Sequence, residues 1–341
     1  MSQEDSPEQG SGVPPAKVGM IGLGAYAPER VMTNEDWCQY VDTSDQWIVE
    51  RTGIHRRRIA AEDETTVDLG EKAARAALAD AGLEPEHVDE LIVATDTPEV
   101  YVPDTSSILQ HRLGLRPIPS YDLGGSGCAG FVQALDVARS RVFTGTRRVL
   151  VVGVELLTRL MSWTDRNTCV LFGDAAGAAV VSWVEDSGEI LAAVSGTDGS
   201  RAGILGLEVG GTRKPFTLER AQRDEHHAVV MNGREVFKEA VHRMSQAARQ
   251  VLEQAGRSLA DVDLVVPHQA NLRIIHAVAK HLEVELEKVF INVQDFGNTG
   301  SASIPLALTQ ARAAGRVRRG DLVLLTTFGA GFHWAAMLVQ F

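Results

Sequence analysis

The sequence places one cysteine, Cys128, where a thiol could act as a nucleophile. It lies in the Gly-rich run Leu123–Phe131 (LGGSGCAGF), between a predicted strand and a helical pattern from Val132 to Arg141. A thiol at such a turn lies near the positive end of the helix dipole, which favours the thiolate, and its small neighbours leave room for a substrate. The alternative is a small buried residue beside tight glycines, because free cysteines are often buried. The run GSGCAG is not a G-x-S-x-G elbow, so a serine hydrolase is disfavoured.

Two further polar residues, His268 and Asn298, lie in the second half of the chain. His268 follows the apolar run of Val265–Asn271 (VVPHQAN), at the end of a predicted buried strand, where α/β folds present functional groups. Asn298 lies in the Gly-rich segment Phe296–Ser303 (FGNTGSAS). Each residue taken alone has a structural alternative, since a lone histidine is more often structural and an asparagine among glycines is typical of a turn or a helix cap.

A long internal repeat indicates that the chain is built from two similar halves. The helical pattern Val67–Ala81 and the apolar strand after it recur, without a gap, at Arg234–Ala255 and its own strand, at an offset of 174 residues. This period indicates duplicated βα halves and not a solenoid of short units. Continuous apolar strands such as Val149–Val154 and Leu322–Thr326 fit sheets that are buried on both faces. We predict an α/β fold with a flexible tail at 1–16, an N-terminal half at 17–186 and a C-terminal half at 187–341.

The repeat also relates the three polar residues to one another. At the offset of 174 residues, Cys128 corresponds to Ala302 in the Asn298 loop, and His268 corresponds to Ala94 at the end of the matching strand. Two pseudo-symmetric halves would therefore bring Cys128, His268 and Asn298 toward one central place. We predict a Cys–His–Asn active site there.

Composition excludes several classes of partner. The 341 residues include 33 Lys and Arg and 45 Asp and Glu, a net charge of −12, which argues against nucleic acid and anionic membrane surfaces as main partners. No apolar stretch reaches the ~18 residues of a membrane span, and the polar N-terminal tail has no signal-peptide core. The three cysteines are too widely spaced to indicate a disulfide framework or a zinc site. We therefore expect a cytoplasmic protein.

Two other segments bear on ligand binding. The run Gly22–Ala27 (GLGAYA) matches G-x-G-x-x-A, but Pro28 follows at once and no helix is predicted there. A dinucleotide site is therefore disfavoured, because its pyrophosphate needs a helix N-terminus. The segment 198–229 is polar and has no regular pattern. We expect it to form a lid or a binding loop.

Together these segments resemble β-ketoacyl-acyl-carrier-protein synthase III, a condensing enzyme of the thiolase superfamily. The similarity runs from residue 18 to 341, and its motifs are Val41–Ile48, Arg51–Ile54, Thr164–Arg166, Phe172–Asp174, Pro267–Ile274, Gly297–Thr299 and Phe328–Phe332. Elongating synthases carry a second histidine where this chain has Asn298, and thiolases carry a second catalytic cysteine in the C-terminal Gly-rich turn. This chain has neither. The resemblance implies a thiolase-like duplicated fold, layered α-β-α-β-α, with two pseudo-symmetric halves.

The resemblance also implies a reaction. Cys128 would attack an acyl-CoA thioester and hold the acyl group, with the backbone N–H groups of Cys128 and Ala330 as the oxyanion hole. His268 and Asn298 would donate hydrogen bonds to the malonyl thioester oxygen and stabilise the enolate that forms on loss of CO2. The carbanion would then attack the acyl-Cys carbonyl. The implied partners are acyl-CoA, malonyl-acyl-carrier protein and a second copy of the chain as a homodimer, and no metal or other cofactor is implied.

Binding residues follow from the same resemblance. Trp47 and Arg166 would sandwich the adenine of CoA, as an arginine stacked on an aromatic ring suits a purine clamp. The other CoA contacts would be Arg51 at the phosphates and Thr43, Gly233, Phe237 and Asn271 along the pantetheine. Carrier-protein docking would use Lys238, Arg273 and Lys280, for each of which the alternative is a solvated helix face.

Two positions depart from the pattern of the family. The usual Gly-Gly-Gly-Phe turn is Gly-Ala-Gly-Phe at 329–332, which is tolerable if only the N–H of Ala330 is used. Val102 aligns with the residue that caps the partner subunit's acyl pocket, where some members carry a bulky aromatic side chain. The small Val102 leaves the length of the primer open.

Other functions remain alternatives at this point. A relative from secondary metabolism could use a different primer or transfer the acyl group to an alcohol or an amine. A cysteine thioester hydrolase would use water in place of malonyl-acyl-carrier protein. A non-catalytic acyl-CoA-binding protein would not need Cys128, His268 and Asn298 together.

Overall fold

Long apolar strands alternate with helices along the chain, which we describe from a computed structural model for residues 17–185 and 187–341. The predicted tail at 1–16 lies outside the described residues. The strands are β1 (Lys17–Tyr26), β2 (Val31–Thr33), β3 (Arg56–Arg58), β4 (Glu90–Ala94), β5 (Ser120–Leu123), β6 (Arg148–Leu156), β7 (Asp174–Val184), β8 (Glu189–Thr197), β9 (Leu205–Leu207), β10 (Val229–Met231), β11 (Leu264–Pro267), β12 (Leu322–Gly329) and β13 (His333–Gln340). The helices are α1 (Asn34–Trp37), α2 (Asp45–Thr52), α3 (Thr66–Asp80), α4 (Thr105–Leu113), α5 (Gly130–Phe143), α6 (Leu218–Gln222), α7 (Gly233–Gln254), α8 (Leu272–Leu282), α9 (Val293–Phe296) and α10 (Ser303–Ala313).

Nine of the strands are joined in the order β11-β12-β13-β8-β1-β7-β6-β4-β5. β1 and β8 meet only at Gly19 and Glu189, so the strands divide there into two sets. In each set a parallel pair, β4 with β6 or β11 with β12, is followed by an antiparallel strand, β7 or β13. The proposed division of the chain at residues 186 and 187 falls between β7 and β8.

Each set of strands has apolar side chains on both faces. Together the two sets pack against three layers of helices. On β12, Val323 and Leu325 pack with α5 and α10, whereas Leu322 and Leu324 pack with α7 and α8. In the other set, β4 and β6 pack with α5 on one face and with α3 and α4 on the other. The order of layers is therefore α-β-α-β-α, and the predicted thiolase-like fold is confirmed.

The internal repeat appears as equivalent elements. α3 ends at Asp80 and α7 ends at Gln254, while β6 begins at Arg148 and β12 begins at Leu322, each pair 174 residues apart. In α3, Thr65 and Asp68 form a reciprocal capping box, which satisfies backbone donors at the start of the helix. Both helices are Ala-rich on the side that packs on the sheet, because small side chains let a helix approach a strand closely.

The segment 198–229 is more regular than its composition suggests. It contains β9, α6 and two 3-10 turns, and β9 pairs with β10 in a two-stranded antiparallel ribbon. The backbone of Asp198 exchanges two hydrogen bonds with that of Phe332, which ties the start of the segment to the C-terminal Gly-rich turn. As for membranes, no helix within the described ranges has the length and apolarity needed to cross one.

Candidate active site

Two 3-10 turns, one in each half, face each other at the centre of the fold. The turn Gly127–Ala129 comes directly before α5, and the turn Gly300–Ala302 comes directly before α10. The thiol of Cys128 lies in the first turn, and its Sγ is 3.9 Å from Oδ1 of Asn298, which lies just before the second. The structure therefore brings together two residues that are 170 positions apart in the chain.

Asn298 is oriented by the backbone of its own loop. Its Oδ1 accepts a hydrogen bond from the N–H of Gly300 at 2.9 Å, and its backbone N–H donates to the carbonyl of Leu171 at 2.8 Å. Within the described residues the amide Nδ2 has no partner, so it is available as a donor toward a substrate.

His268 follows β11 and is buried, with its Nδ1 at 2.6 Å from Oγ of Ser303, the first residue of α10. Ser303 Oγ also accepts the backbone N–H of Gln269, and Nδ1 of His268 is the one acceptor among the described residues within hydrogen-bond distance of the Ser303 hydroxyl, so we assign the hydroxyl proton to Nδ1. The ring proton of His268 is then on Nε2. Burial lowers the pKa of His268 to about 3, so the imidazole is neutral at pH 7 and acts there as a hydrogen-bond donor.

Cys128, His268 and Asn298 line one cavity of about 830 Å³. Of the residues predicted from the family resemblance, Arg51, Gly233, Phe237, Asn271, Arg273 and Ala330 also line it. β9 of the segment 198–229 and its partner strand β10 supply part of the apolar wall of the cavity, including Leu205 and Met231. The cavity therefore joins the three polar residues to a long path between the two halves.

Backbone groups of the two Gly-rich turns meet beside Cys128. A Cβ on Gly127 would lie 2.6 Å from the backbone nitrogen of Ala330, and one on Gly329 would clash with the backbone nitrogen of Cys128. Gly127 also has a φ of +53°, which a larger side chain would strain. Only glycines allow the two turns to approach so closely, and the backbone nitrogens of Cys128 and Ala330 both lie at this contact.

The ionisation of Cys128 differs from the expectation for a thiol at a helix N-terminus. The position directly before α5 is as predicted. However, burial raises the pKa of the Cys128 thiol, and the nearby Asp96 carboxylate raises it further. The cysteine of the resting protein is therefore a neutral thiol, because burial and Asp96 outweigh the dipole of α5.

Sequence reasoning missed two carboxyl groups beside the cysteine. Asp96 lines the cavity, and Glu155 is fully buried behind it. A signal was present for each: Asp96 comes two residues after the apolar strand β4, and Glu155 is a single acid in the otherwise apolar run Val149–Leu156. Such isolated acids need partners when they are buried, and the partners were not visible in the sequence.

The two residues predicted to hold adenine, Trp47 and Arg166, stack directly on each other. The guanidinium of Arg166 lies 4.8 Å from the ring centroid of Trp47, and that of Arg51 lies 4.4 Å from it. Arg166 also donates a hydrogen bond to the carbonyl of Asp42 at 2.8 Å. A purine bound between Trp47 and Arg166 therefore requires the arginine side chain to move.

Other predicted pantetheine contacts lie close to α2 and α8. Asn271 caps α8 and donates a hydrogen bond from Nδ2 to the carbonyl of Arg51 at 3.1 Å. The hydroxyl of Thr43 is buried without a hydrogen-bond partner among the described residues.

Lys238, Lys280, Val102 and Cys169 are not among the residues that line the cavity. Lys238 on α7 and Lys280 on α8 are exposed, as is Arg273 at the cavity. Val102 is 86% exposed on the loop between β4 and α4. Cys169 is fully buried in the core, and burial raises its thiol pKa to about 12.

Comparisons with known proteins show which family the chain is similar to. The family model described as 3-oxoacyl-[acyl-carrier-protein (ACP)] synthase III matches residues 121–199, and the model of its C-terminal part matches residues 252–341. The chain is 48% identical to beta-ketoacyl-[acyl-carrier-protein] synthase III of Symbiobacterium thermophilum, over 95% of this chain and 98% of that one. It is 45% identical to the protein of the same name from Caldanaerobacter subterraneus subsp. tengcongensis, over 94% and 97%. The crystal structure of 3-oxoacyl-[acyl-carrier-protein] synthase III from Aquifex aeolicus superimposes with a TM-score of 0.88 at 44% identity, covering 95% of this chain and 100% of that one.

Proposed function

Because the chain belongs to the 3-oxoacyl-[acyl-carrier-protein] synthase III family, we propose that Cys128, His268 and Asn298 carry out its condensation. It is an acyltransferase, a condensing enzyme that primes fatty-acid synthesis by joining an acyl-CoA to malonyl-acyl-carrier protein through an acyl-cysteine. One observation carries the assignment of residues: the Cys128 thiol lies against Asn298 in the cavity that also holds the neutral imidazole of His268.

In the first half-reaction the Cys128 sulfur attacks the carbonyl carbon of the acyl-CoA. The carbonyl oxygen becomes negative and is bound by the N–H groups of Cys128 and Ala330, which the two glycine turns hold side by side. The C–S bond to CoA breaks, and the thiol proton of Cys128 leaves with the CoA sulfur. The neutral resting thiol thus supplies the proton that the leaving group requires.

In the second half-reaction Nε2 of His268 and Nδ2 of Asn298 donate hydrogen bonds to the thioester oxygen of the malonyl group. The bond to the carboxylate breaks, CO2 leaves, and the electron pair forms an enolate that both donors stabilise. Its carbon attacks the acyl-Cys128 carbonyl, and the thiolate that is released takes up a proton. The proposed route uses only protein groups, so it requires no metal or redox cofactor.

The CoA and carrier-protein contacts follow the same proposal. Trp47 and Arg166 hold the adenine after Arg166 swings away from the ring, while Arg51 binds phosphate at the cavity. Thr43, Gly233, Phe237 and Asn271 line the pantetheine path. Lys238, Arg273 and Lys280 give this face local positive charge on a chain of net charge −12, which suits an acidic carrier protein.

We also propose that the protein is a cytoplasmic homodimer. β5 lies at the end of the nine-stranded order and offers a free edge for pairing with a second copy. Tyr101 and Val102 are more than four-fifths exposed on the adjacent loop, which is costly for apolar side chains unless a partner covers them. The free cysteines Cys38, Cys128 and Cys169 fit a reducing compartment.

Val102→Phe is expected to restrict the enzyme to shorter acyl-CoA primers. Phenylalanine fills more of the partner's acyl tunnel, whereas Val102 leaves room for branched or medium chains, and each buried methylene favours binding by ~0.8 kcal/mol. Mass spectrometry of the acyl-enzyme with a panel of acyl-CoAs should show a shift toward acetyl in Val102→Phe, with acetyl transfer itself retained. Sedimentation of the wild type as a monomer, or an unchanged acylation profile, would contradict the proposed cap.

A partition experiment tests the function as a whole. The protein is incubated with an acyl-CoA, with and without malonyl-acyl-carrier protein, and the products are separated by mass. We expect an acyl adduct with acyl-CoA alone, and CO2 with a β-ketoacyl-carrier protein when both substrates are present. Free fatty acid would instead indicate a hydrolase, and transfer to an added alcohol or amine would indicate a different acyltransferase.

A further inference from the structure

Behind the Asn298 loop lies Glu155 of β6, a fully buried carboxyl group that the mechanism above does not use. Its Oε1 is 2.9 Å from Oγ of Ser301, and its Oε2 is 3.0 Å from Oγ1 of Thr97. The backbone N–H of Asp96 donates to the carboxyl group, at 3.1 and 3.2 Å from its two oxygens. Glu155 thus contacts the loop of one half and the end of β4 in the other.

Asp96 continues the connection to the nucleophile. Its Oδ1 accepts the backbone N–H of Gly125 at 3.0 Å, and its carboxylate also accepts the N–H of Gly127. Both glycines belong to the turn that holds Cys128. An unbroken set of hydrogen bonds therefore runs from Glu155 to the turn of the catalytic thiol.

The aliphatic part of the Glu155 side chain also packs against the backbone that orients Asn298. A Cβ on Gly300 would lie 2.7 Å from Cγ of Glu155, and Gly300 has a φ of +56°. The N–H of this same Gly300 donates to Oδ1 of Asn298. Movement of Glu155 would therefore be transmitted directly to the amide of Asn298.

The number of protons available for these hydrogen bonds indicates whether Glu155 is protonated or ionised. The hydroxyl of Ser301 has one proton but contacts two oxygens at 2.9 Å, Oε1 of Glu155 and the carbonyl of Ala94. The carbonyl can only accept, so its contact with Ser301 is a hydrogen bond only if the Ser301 proton points to it. The contact between Ser301 and Glu155 is then a hydrogen bond only if Glu155 carries the second proton. Thr97 fits this count, since its hydroxyl accepts from Leu156 N–H and donates to Oε2.

Electrostatic interactions also favour a neutral Glu155 beside a charged Asp96. Two neighbouring carboxyl groups do not both ionise readily. Burial raises the pKa of Asp96 too, but the N–H donors of Gly125 and Gly127 stabilise its charge, so the negative charge is favoured on Asp96. Burial and the Asp96 charge raise the pKa of Glu155 well above its ordinary value. The other titratable groups that face this pair are Cys128 and His333, the latter on β13 beside Asp96.

We propose that Glu155 is protonated at neutral pH and, as a neutral acid, bridges the Asn298 loop to the Cys128 turn. Glu155 is then a positioning residue for the donor that stabilises the enolate. This inference rests on the proposed function, because it assigns Glu155 to the malonyl half-reaction and not to acylation.

The test compares three variants of buried glutamates. Glu155→Gln keeps a neutral donor of the same shape, so we expect malonyl decarboxylation within about threefold of wild type. Glu155→Ala removes the bridge, and we expect decarboxylation to fall about tenfold or more, with acylation of Cys128 changed much less. Glu90→Gln is the matched control, because Glu90 is similarly buried on β4 but does not line the cavity, and its carboxylate accepts hydrogen bonds from Tyr121, Arg141 and Thr146. It should lower stability without changing decarboxylation.

Two measurements distinguish a positioning role of Glu155 from a purely structural role. As pH rises, wild-type Glu155 loses its proton and decarboxylation should fall, whereas Glu155→Gln should lack this alkaline limb. The infrared band of a protonated carboxylic acid should be present in the wild type at neutral pH and lost in Glu155→Gln. An absent band, an alkaline limb unchanged in Glu155→Gln, or a Glu155→Gln enzyme as slow as Glu155→Ala would each overturn the proposal.

Further controls keep the test decisive. If Glu155→Ala does not fold, Ser301→Ala removes the same contact from the other side and should slow decarboxylation about tenfold. If the wild type forms no condensation product, the proposed function fails, while the infrared comparison still decides whether Glu155 is protonated.

Discussion

Replacing Cys128 by alanine is expected to abolish the acyl-enzyme and to reduce condensation at least about 10³-fold, because the thiol forms the covalent intermediate. The fold should survive, since the side chain is small and the turn is held by backbone groups around Gly127 and Gly329. Intact-mass spectrometry after incubation with acyl-CoA measures the adduct, and the thermal unfolding midpoint checks the fold.

Cys169→Ala and Cys38→Ala are the matched controls for this experiment. Cys169 is fully buried in the core with a raised thiol pKa, and Cys38 is exposed outside the cavity. Neither thiol can replace Cys128, so both variants should retain the adduct. An adduct that persists in Cys128→Ala and maps to Cys38 or Cys169 would remove Cys128 from the mechanism.

The duplicated architecture and the meeting of Cys128 with Asn298 could be predicted because both depend on periodic patterns. The offset of 174 residues was visible in apolar and alanine-rich segments, and the equivalent strands β6 and β12 begin at that offset. Equivalent loops of two pseudo-symmetric halves must meet near the axis that relates them. The turns that carry Cys128 and follow Asn298 do so.

The ionisation of the site could not be predicted, because a pKa depends on groups from both halves. The helix that follows Cys128 suggested a thiolate, but burial and Asp96 outweigh the helix dipole in the resting protein. Nothing in the local sequence shows that Glu155 contacts Ser301, 146 residues away. The neutral state of His268 likewise results from complete burial and not from its sequence neighbours.

Segment 198–229 shows a different limit of sequence reasoning. Its polar composition predicted an irregular loop, yet Leu205–Leu207 and Val229–Met231 pair as a ribbon. These short strands have too few residues for a periodic signal, and their partner is distant in sequence. The direct stack of Arg166 on Trp47 is also a tertiary contact, which a motif can suggest but not define.

His268→Ala and Asn298→Ala are each expected to slow malonyl decarboxylation by about 10²–10³-fold, the usual effect of removing one preorganised donor to a developing oxyanion. Acylation of Cys128 should change far less, because the oxyanion hole of that step is made of the backbone N–H groups of Cys128 and Ala330. Release of CO2 from malonyl-acyl-carrier protein measures one half-reaction. Single-turnover formation of the acyl-enzyme, followed by intact mass, measures the other.

Ser303→Ala tests whether His268 acts as a hydrogen-bond donor. A purely structural role for His268 would predict no loss of decarboxylation in this variant. Without the Ser303 hydroxyl, the ring proton of His268 is no longer held on Nε2, so decarboxylation should fall by about tenfold while the imidazole remains in place. Loss of acylation to the same degree as decarboxylation in His268→Ala and Asn298→Ala would mean that these residues serve the thiol and not the enolate. Nδ2 of Asn298, which has no partner among the described residues, and Nε2–H of His268 are both hydrogen-bond donors, so they suit the enolate oxygen. The Cys128 thiol already carries its proton in the resting protein and has no need of a further donor.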